Sequence, residues 1–201
     1  MKYLKKRSIA IFLTFVIAFV AMLFGVRKTA IRLTKEIEDL FYTGIYQKQL
    51  GFYQQSIDSQ LNRIVAVSVS LATLMQNYPE LESEAAAVLR ARWNLLVAET
   101  IAEKHEAYIN MRMPILELVE KATQSEVLSE RELDAIIQYM QTLSGASYYI
   151  ESTLAPAYTS IVDEYKKNQS VLADILNISR QGVTTPSYFR PLENGPLFAY
   201  N

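Results

Sequence analysis

The single histidine of the chain, His105, is the natural starting point in a search for metal or acid–base chemistry. Carboxylates lie near it at helical spacing, at Glu99, Glu103 and Glu106. A di-iron helical bundle needs Glu-x-x-His pairs, and the residue three positions before His105 is Ala102, so that motif is missing. These residues could form a weak surface metal site, but their spacing favours a solvated, charged helix face.

Nucleophilic catalysis has less support. A serine triad would have to use His105 as its base, and no Gly-x-Ser-x-Gly motif accompanies the serines. The chain has no cysteine, which excludes a thiol nucleophile, a disulfide and a cysteine zinc site. Phosphate-binding and dinucleotide-binding glycine motifs are also missing. We therefore predict a protein that is not an enzyme, with no catalytic, metal-binding or cofactor-binding residues and no cofactor.

Tyrosine is unusually frequent, with 13 residues against 8 phenylalanines. Tyr42, Tyr46 and Tyr53 lie in one predicted helix, and Tyr148 and Tyr149 lie in another. Tyrosines at helical spacing are common packing residues whose hydroxyls reach water, and we favour that interpretation. A ligand-binding or partner-binding surface is the alternative.

An uncharged, strongly apolar run occupies residues 8–26. As a helix it would be about 28 Å long, close to the hydrocarbon thickness of a bilayer. A cleavable signal peptide is the alternative, but the run ends in Met-Leu-Phe-Gly-Val, which is bulky where a signal peptidase needs small residues. The run therefore predicts a single-pass transmembrane anchor that places the protein in the lipid bilayer of a bacterial cell membrane.

Basic residues flank this run on both sides: Lys2, Lys5, Lys6 and Arg7 in the N-terminal flank 1–7, and Arg27, Lys28, Arg32 and Lys35 after the run. The positive-inside rule therefore finds equal numbers on the two sides. The cluster before the run is tighter and includes the amino terminus, which favours a domain outside the cytoplasm. The rest of the chain is mildly acidic, which argues against a nucleic-acid partner.

Residues 27–182 are predicted to form an all-α domain, a bundle of long antiparallel helices. A first long helix is predicted over residues 29–77, bent near Gly44 and Gly51, because glycine weakens a helix. No segment of useful length alternates with the two-residue period of a strand. The apolar residues of the first helix recur at spacings of three and four, as in a coiled coil: Leu33, Ile37, Leu40, Phe41, Ile57, Leu61, Ile64, Leu71 and Met75, with Ser68 among them.

Prolines mark the limits of a second helix. Pro79 suits its first turn, and Pro114 is expected to kink or break it near Met113. One apolar stripe is predicted to face the core, with Leu81, Ala85, Leu89, Trp93, Leu96, Val97 and Ile101.

Two more helices are predicted in the rest of the domain. Ser129 and Glu132 have the spacing of a capping box at the start of the third helix. Pro156 is expected to break or restart this helix, and the last helix is expected to end near Gly182. The apolar residues of these two helices are Leu133, Ile136, Ile137, Met140 and Leu143, followed by Tyr158, Ile161, Val162, Tyr165, Leu172, Ile175 and Leu176.

The C-terminal tail, residues 183–201, combines three prolines with large apolar side chains: Tyr188, Phe189, Leu197, Phe198 and Tyr200. Disordered tails are usually polar, so we expect these aromatic residues to pack back onto the bundle. The alternative is that they bind a partner, an unidentified membrane or envelope protein.

The segments QSIDSQLNR (55–63) and YTSIVDEYKKN (158–168) resemble the LemA family. The first motif of the family, Q-(V/I)-D-x-Q-L-x-R, is approximated by Gln55, Ile57, Asp58, Gln60, Leu61 and Arg63. Tyr158 and Tyr165 fit its paired tyrosines. The tail segment Tyr-Phe-Arg-Pro also resembles the family's Pro- and Phe-containing end. The resemblance implies an N-terminal transmembrane helix followed by a helical bundle, and it implies no catalytic residue.

The chain departs from the family pattern at several positions. If the chain belongs to the family, it is a divergent member. Thr159 and Lys166 stand where the family has asparagines, and residues 64–68 replace the family's polar segment. We predict a membrane-tethered scaffold or protein-interaction module of LemA-like type, with a homo-oligomer as one possible assembly. The alternative is an extracytoplasmic, sensory bundle that binds a small ligand.

Overall fold

The computed structural model describes residues 2–44, 46–47, 51–53 and 55–176. The predicted all-α fold class is confirmed, apart from one hairpin of two-residue strands. The elements are α1 (Lys2–Tyr42), β1 (Tyr46–Gln47), β2 (Phe52–Tyr53), α2 (Ile57–Met75), α3 (Glu82–Val97), α4 (Ile101–Asn110), α5 (Arg112–Gln124), α6 (Glu130–Tyr149), a π-helix (Ile150–Leu154) and α7 (Ala155–Leu176). The described residues fall into two compact units, one with residues 2–37 and 161–176 and the other within 38–160.

The first unit contains a helix that is long and apolar enough to cross a membrane. The candidate span is Ile9–Tyr42, with a mean hydropathy of 2.8 in its most apolar window and none of that window buried in protein. A signal sequence near the N-terminus satisfies the same criteria of length and hydropathy. Beyond the apolar run, Leu33 and Val162 are buried, and the side chains of Arg32 and Glu164 form an ion pair at 3.6 Å.

Helix α1 ends at Tyr42, so the prediction of one long helix over 29–77 is wrong. The amide of Gly44 donates to the carbonyl of Asp39 at 2.8 Å, and Gly44 has a φ of 91°. This left-handed conformation closes the C-terminus of a helix and suits glycine, which has no Cβ. Gly51, with a φ of 70°, lies in the turn between β1 and β2. Both glycines therefore mark turns rather than a bend.

The second unit is organised around α2, which packs against α3 and α6. The side chain of Ser56 caps α2 by accepting from the amide of Ser59 at 3.0 Å. The predicted seam of α2 is confirmed, because all its members are buried: Ile57, Leu61, Ile64, Ser68, Leu71 and Met75. Burying such a side chain stabilises a fold by about 1.5–3 kcal/mol relative to leaving it in water.

The second predicted helix is divided into α3 and α4, with a break between Val97 and Ile101, and its predicted apolar stripe is partly wrong. Helix α3 begins at Glu82, so Pro79 lies in the preceding turn rather than inside the helix. The core side of α3 carries Leu81, Ala85, Val88 and Leu95, whereas Trp93, Leu96 and Val97 are exposed. The buried side includes alanine and valine, whose small size permits close packing against a neighbouring helix.

Caps and prolines set the remaining boundaries. Helix α4 begins after Thr100, which forms a capping box with Glu103 that the sequence analysis missed. The predicted break near Pro114 is confirmed: α4 ends at Asn110, and Pro114 lies in the first turn of α5. The predicted capping box of Ser129 at the start of α6 is also confirmed.

Pro156 does not interrupt the helical backbone, which continues from the π-helix into α7. It follows the π-helix, in which the amide of Ala155 donates to the carbonyl of Ile150. Because proline has no amide hydrogen and its ring crowds the carbonyl four residues earlier, a wider turn lets the helix continue. The buried face then passes through Ile150, Leu154 and Tyr158. The predicted end of the last helix near residue 182 lies outside the described residues.

Candidate functional site

The C-terminal half of α3 presents a large apolar face to solvent. Trp93 is 56% exposed, Leu96 46% and Val97 50%. Positions separated by three and four residues lie on one side of a helix, so these side chains form a continuous surface. We call Trp93, Leu96 and Val97 the α3 apolar face. A contiguous apolar surface that contains tryptophan is typical of a protein-interaction site.

An acidic depression adjoins this face, and Val97 belongs to both. Its volume is about 470 Å³ and it opens to solvent between α3 and α4. The residues that line it are Asn94, Val97, Ala98, Glu99, Glu103, Glu106, Ala107 and Asn110. Glu103 accepts hydrogen bonds from the amides of Thr100 and Glu99, both at 3.0 Å, and these bonds lower the pKa of its carboxyl group. The depression therefore carries stable negative charge at neutral pH.

This site is formed where α3 ends and α4 begins. The chain leaves α3 at Ala98 with extended backbone, and Thr100 then starts a new helix at an angle that the capping box fixes. The break brings Glu99 and Glu103 beside Val97. An apolar patch beside three carboxylates is chemically suited to an apolar segment that also carries positive charge.

A second polar arrangement lies inside the bundle. Tyr108 of α4, which is fully buried, lies 2.9 Å from the Oγ of Ser147 in α6. The hydroxyl of Tyr108 also hydrogen-bonds to Glu151 of the π-helix, and both burial and the nearby Glu151 raise the pKa of Tyr108. Tyr108 therefore stays protonated and can donate to the carboxyl group while it accepts from Ser147.

This interior cluster links α4, α6 and the π-helix, and its three residues are buried. Since buried polar groups need hydrogen-bond partners, the cluster specifies how these helices pack. Substrate has no open path to the hydroxyls, so the arrangement is suited to structure rather than to nucleophilic chemistry. Sequence reasoning missed it because Tyr108 and Ser147 are far apart in the chain and no motif links them.

The residues singled out for metal chemistry fall mostly at the depression. Glu99, Glu103 and Glu106 line it, whereas His105 is half-buried in α4 and does not belong to the lining residues. No group of three or more potential ligands in the described part of the chain is arranged to hold a metal ion. The predicted partner-binding residues of the tail, Tyr188, Phe189, Leu197, Phe198 and Tyr200, lie outside the described residues.

The first segment that resembles the LemA family has clear local roles. Asp58 forms an ion pair with Lys104 of α4, Ile57 and Leu61 are buried, and the side chain of Gln60 hydrogen-bonds to Gln55. The ammonium group of Lys104 also lies 5.4 Å from the ring centroid of Tyr42. These contacts pack the start of α2 against its neighbours.

Comparisons with known proteins found no matching family model, no matching curated protein and no matching solved structure.

Proposed function

We propose that this protein is a membrane-tethered, non-enzymatic interaction module of LemA-like type, and that the α3 apolar face is its binding surface. The observation that carries the proposal is the exposure of Trp93, Leu96 and Val97 beside the acidic depression. Helix α1 supports the tether, because its apolar run is exposed and long enough to cross a bilayer. Residues 8–26 would then place the protein in a bacterial cell membrane, with the bundle outside the cytoplasm.

The partner is expected to be a membrane or envelope protein that presents an apolar segment with flanking lysine or arginine. Covering Trp93 and its neighbours would remove apolar area from water, which is the main favourable term in association. The carboxylates of Glu99 and Glu106 would attract the cations and fix the register of the segment. Binding needs no chemical step, which fits the empty search for catalytic motifs.

Site-specific photo-crosslinking in intact membranes tests the proposal. A photoreactive phenylalanine derivative replaces Trp93 in the full chain, and the control chain carries it at Asp134, an exposed position of α6. We expect a discrete adduct from position 93 that position 134 does not give. The adduct should weaken when Leu96→Asp and Glu106→Lys are added, because they remove apolar area and reverse a charge.

Two outcomes would contradict this function. Identical adducts from positions 93 and 134 would mean that the α3 apolar face captures neighbours without preference. An adduct that survives Leu96→Asp and Glu106→Lys would mean that neither apolar area nor negative charge selects the partner. Circular dichroism of each variant separates loss of binding from loss of fold.

The second candidate function is a sensory bundle, and the acidic depression is the observation that favours it. Its volume of about 470 Å³ lies in the range of small-molecule sites, about 300–1,000 Å³. A small polycation such as spermidine is the ligand that its carboxylates would take. Saturable thermal stabilisation by spermidine, abolished in Glu99→Gln/Glu106→Gln, would favour the sensor over the interaction module.

A further inference from the structure

The first unit carries exposed positive charge beside the end of the apolar run. Arg27 and Lys28 of α1 directly follow the run, and both side chains are exposed. At 1.5 Å per residue they lie about 1.5–3 Å along the helix axis beyond residue 26. If residues 8–26 fill the hydrocarbon layer, these two cations lie in the headgroup layer, which is about 5–8 Å thick on each side.

Helix α7 brings a third exposed cation to the same level. Glu164 contacts Arg32 at 3.6 Å, and residues 161–176 of α7 belong to the same unit as residues 2–37 of α1. Since α1 leaves this unit at residue 37 and α7 enters it at residue 161, the two helices run in opposite directions within it. Each residue after Glu164 therefore lies nearer to the apolar run.

The helical rise gives the position of Lys167 relative to the end of the apolar run. Arg32 lies about 9 Å beyond residue 26, and Lys167 lies about 4.5 Å past Glu164 along α7. Lys167 is thus about 4.5 Å from the end of the apolar run, within the headgroup layer. Its side chain is exposed, and half-buried Lys166 precedes it. We call Arg27, Lys28 and Lys167 the juxtamembrane cations.

The nearby acids are largely engaged elsewhere. Glu164 pairs with Arg32, and Arg32 also contacts Glu36 at 3.7 Å. None of the juxtamembrane cations forms an ion pair with another residue in the parts of the chain that the structure describes. Asp163 is exposed but lies farther from the run. Asp174, the one acid of α7 after Glu164, lies about 10 Å past Lys167 along the helix axis and therefore not at the level of the headgroups. The net charge at the level of the headgroups is therefore positive.

From this arrangement we infer that the juxtamembrane cations bind the headgroups of anionic phospholipids. The inference rests on the proposed membrane tether, because the apolar run sets the level of the headgroups. A lysine or arginine near an anionic surface contributes a free energy that corresponds to about fivefold in lipid binding per cation. The charges come from two helices, so lipid binding would also hold the part of α7 around Lys167 at the membrane surface.

Native mass spectrometry of the full chain released from nanodiscs tests the inference. The nanodiscs contain equimolar phosphatidylglycerol and phosphatidylcholine, and the ratio of the two lipids that stay bound is measured. We expect the wild type to retain phosphatidylglycerol preferentially, and Arg27→Gln/Lys28→Gln/Lys167→Gln to lower that preference by about fivefold or more. The matched control Arg63→Gln/Arg90→Gln/Arg131→Gln removes three exposed cations of the second unit and should keep the wild-type ratio.

The outcomes separate this inference from the tether. A chain that enters nanodiscs but retains both lipids equally would overturn the inference and leave the tether intact. Equal loss of preference in the two triple variants would also overturn it, since overall charge would then explain the effect. A chain that does not enter nanodiscs of phosphatidylcholine alone would overturn both the tether and the inference.

Discussion

At the scale of single residues, the interior hydroxyl of Tyr108 is a buried polar group of the second unit whose partners come from other helices. It hydrogen-bonds to Ser147 and Glu151, which come from different helical elements. A buried donor or acceptor that loses its partner costs about 1–3 kcal/mol, more than a typical hydrogen bond contributes when all groups are paired. The Tyr108 hydroxyl therefore supplies a buried polar contact between α4 and α6.

Tyr108→Phe should lower the free energy of unfolding by about 1–3 kcal/mol, because it leaves Ser147 and Glu151 without the phenolic hydroxyl. Urea unfolding of the full chain in detergent, followed by circular dichroism, measures the change. Tyr148→Phe is the matched control, since Tyr148 is 61% exposed and its hydroxyl reaches water. Equal stability of the two variants would show that the interior cluster contributes nothing.

Residue-scale prediction from the sequence succeeded for Ser129 and failed for Trp93. Ser129 and Glu132 form a local motif, so their roles depend only on neighbouring residues. Trp93 lies on a helix that has apolar side chains on more than one side, and the packing of α3 against α2, α4 and α5 decides which side is buried. Tyr108 was not singled out because its partners are set by tertiary structure.

At the scale of elements, the capping boxes of α4 and α6 each contain a carboxylate that responds to pH, from Glu103 and Glu132. Glu132 accepts from the hydroxyl of Ser129 at 2.6 Å and from the hydroxyl of Tyr78, and these bonds lower the pKa of its carboxyl group. The hydrogen bond between Tyr78 and Glu132 also raises the pKa of the Tyr78 hydroxyl. A carboxyl group whose pKa is lower in the folded state stabilises the fold above its unfolded pKa, and this stabilisation is lost as the pH falls through the folded pKa.

The unfolding free energy should therefore fall as the pH decreases from about 5 toward 3, since Glu103 and Glu132 become protonated and the caps lose their charge. Glu132→Gln should reduce this slope, because glutamine can cap but does not titrate. Urea unfolding across that pH range gives the slope. Glu130→Gln, in the same turn of α6, is the control and should retain it; a slope unaffected by Glu132→Gln would contradict the role of the cap.

Helix boundaries were predictable where a local signal fixed them. Pro114 breaks the second predicted helix because it lacks an amide hydrogen, and this expectation was confirmed. The prediction of the first helix was wrong because Gly44 adopts a positive φ. The apolar periodicity on either side of Gly44 does not reveal this backbone conformation. The π-helix before Pro156 was also missed, since proline permits a break, a kink or a wider turn, and packing of the buried face selects among them.

At the scale of the whole molecule, the exposed apolar surface of α1 determines which surroundings this helix requires. Its apolar residues are exposed along the run, including Phe15 at 71% and Ile17 at 61%. Apolar area left in water is unfavourable by about 25 cal/mol per Å², so a helix with this surface requires lipid or protein around it. The C-terminal tail, 183–201, is predicted from composition to supply an apolar contact of its own, and it lies outside the described residues.

Substitution within the run should release the protein from membranes. Phe15→Arg/Ile17→Arg places two charges near the centre of the run, which costs about 5–7 kcal/mol in a bilayer. Ile31→Arg/Glu38→Arg adds two arginines to exposed positions of α1 beyond the run and should keep the protein in the membrane pellet after alkaline carbonate.

Intact mass of the wild type in that pellet distinguishes an anchor from a cleaved signal sequence, because cleavage would remove the first residues. Recovery of the wild type in the carbonate supernatant, or pelleting of both double variants, would mean that the apolar run does not hold the protein in lipid.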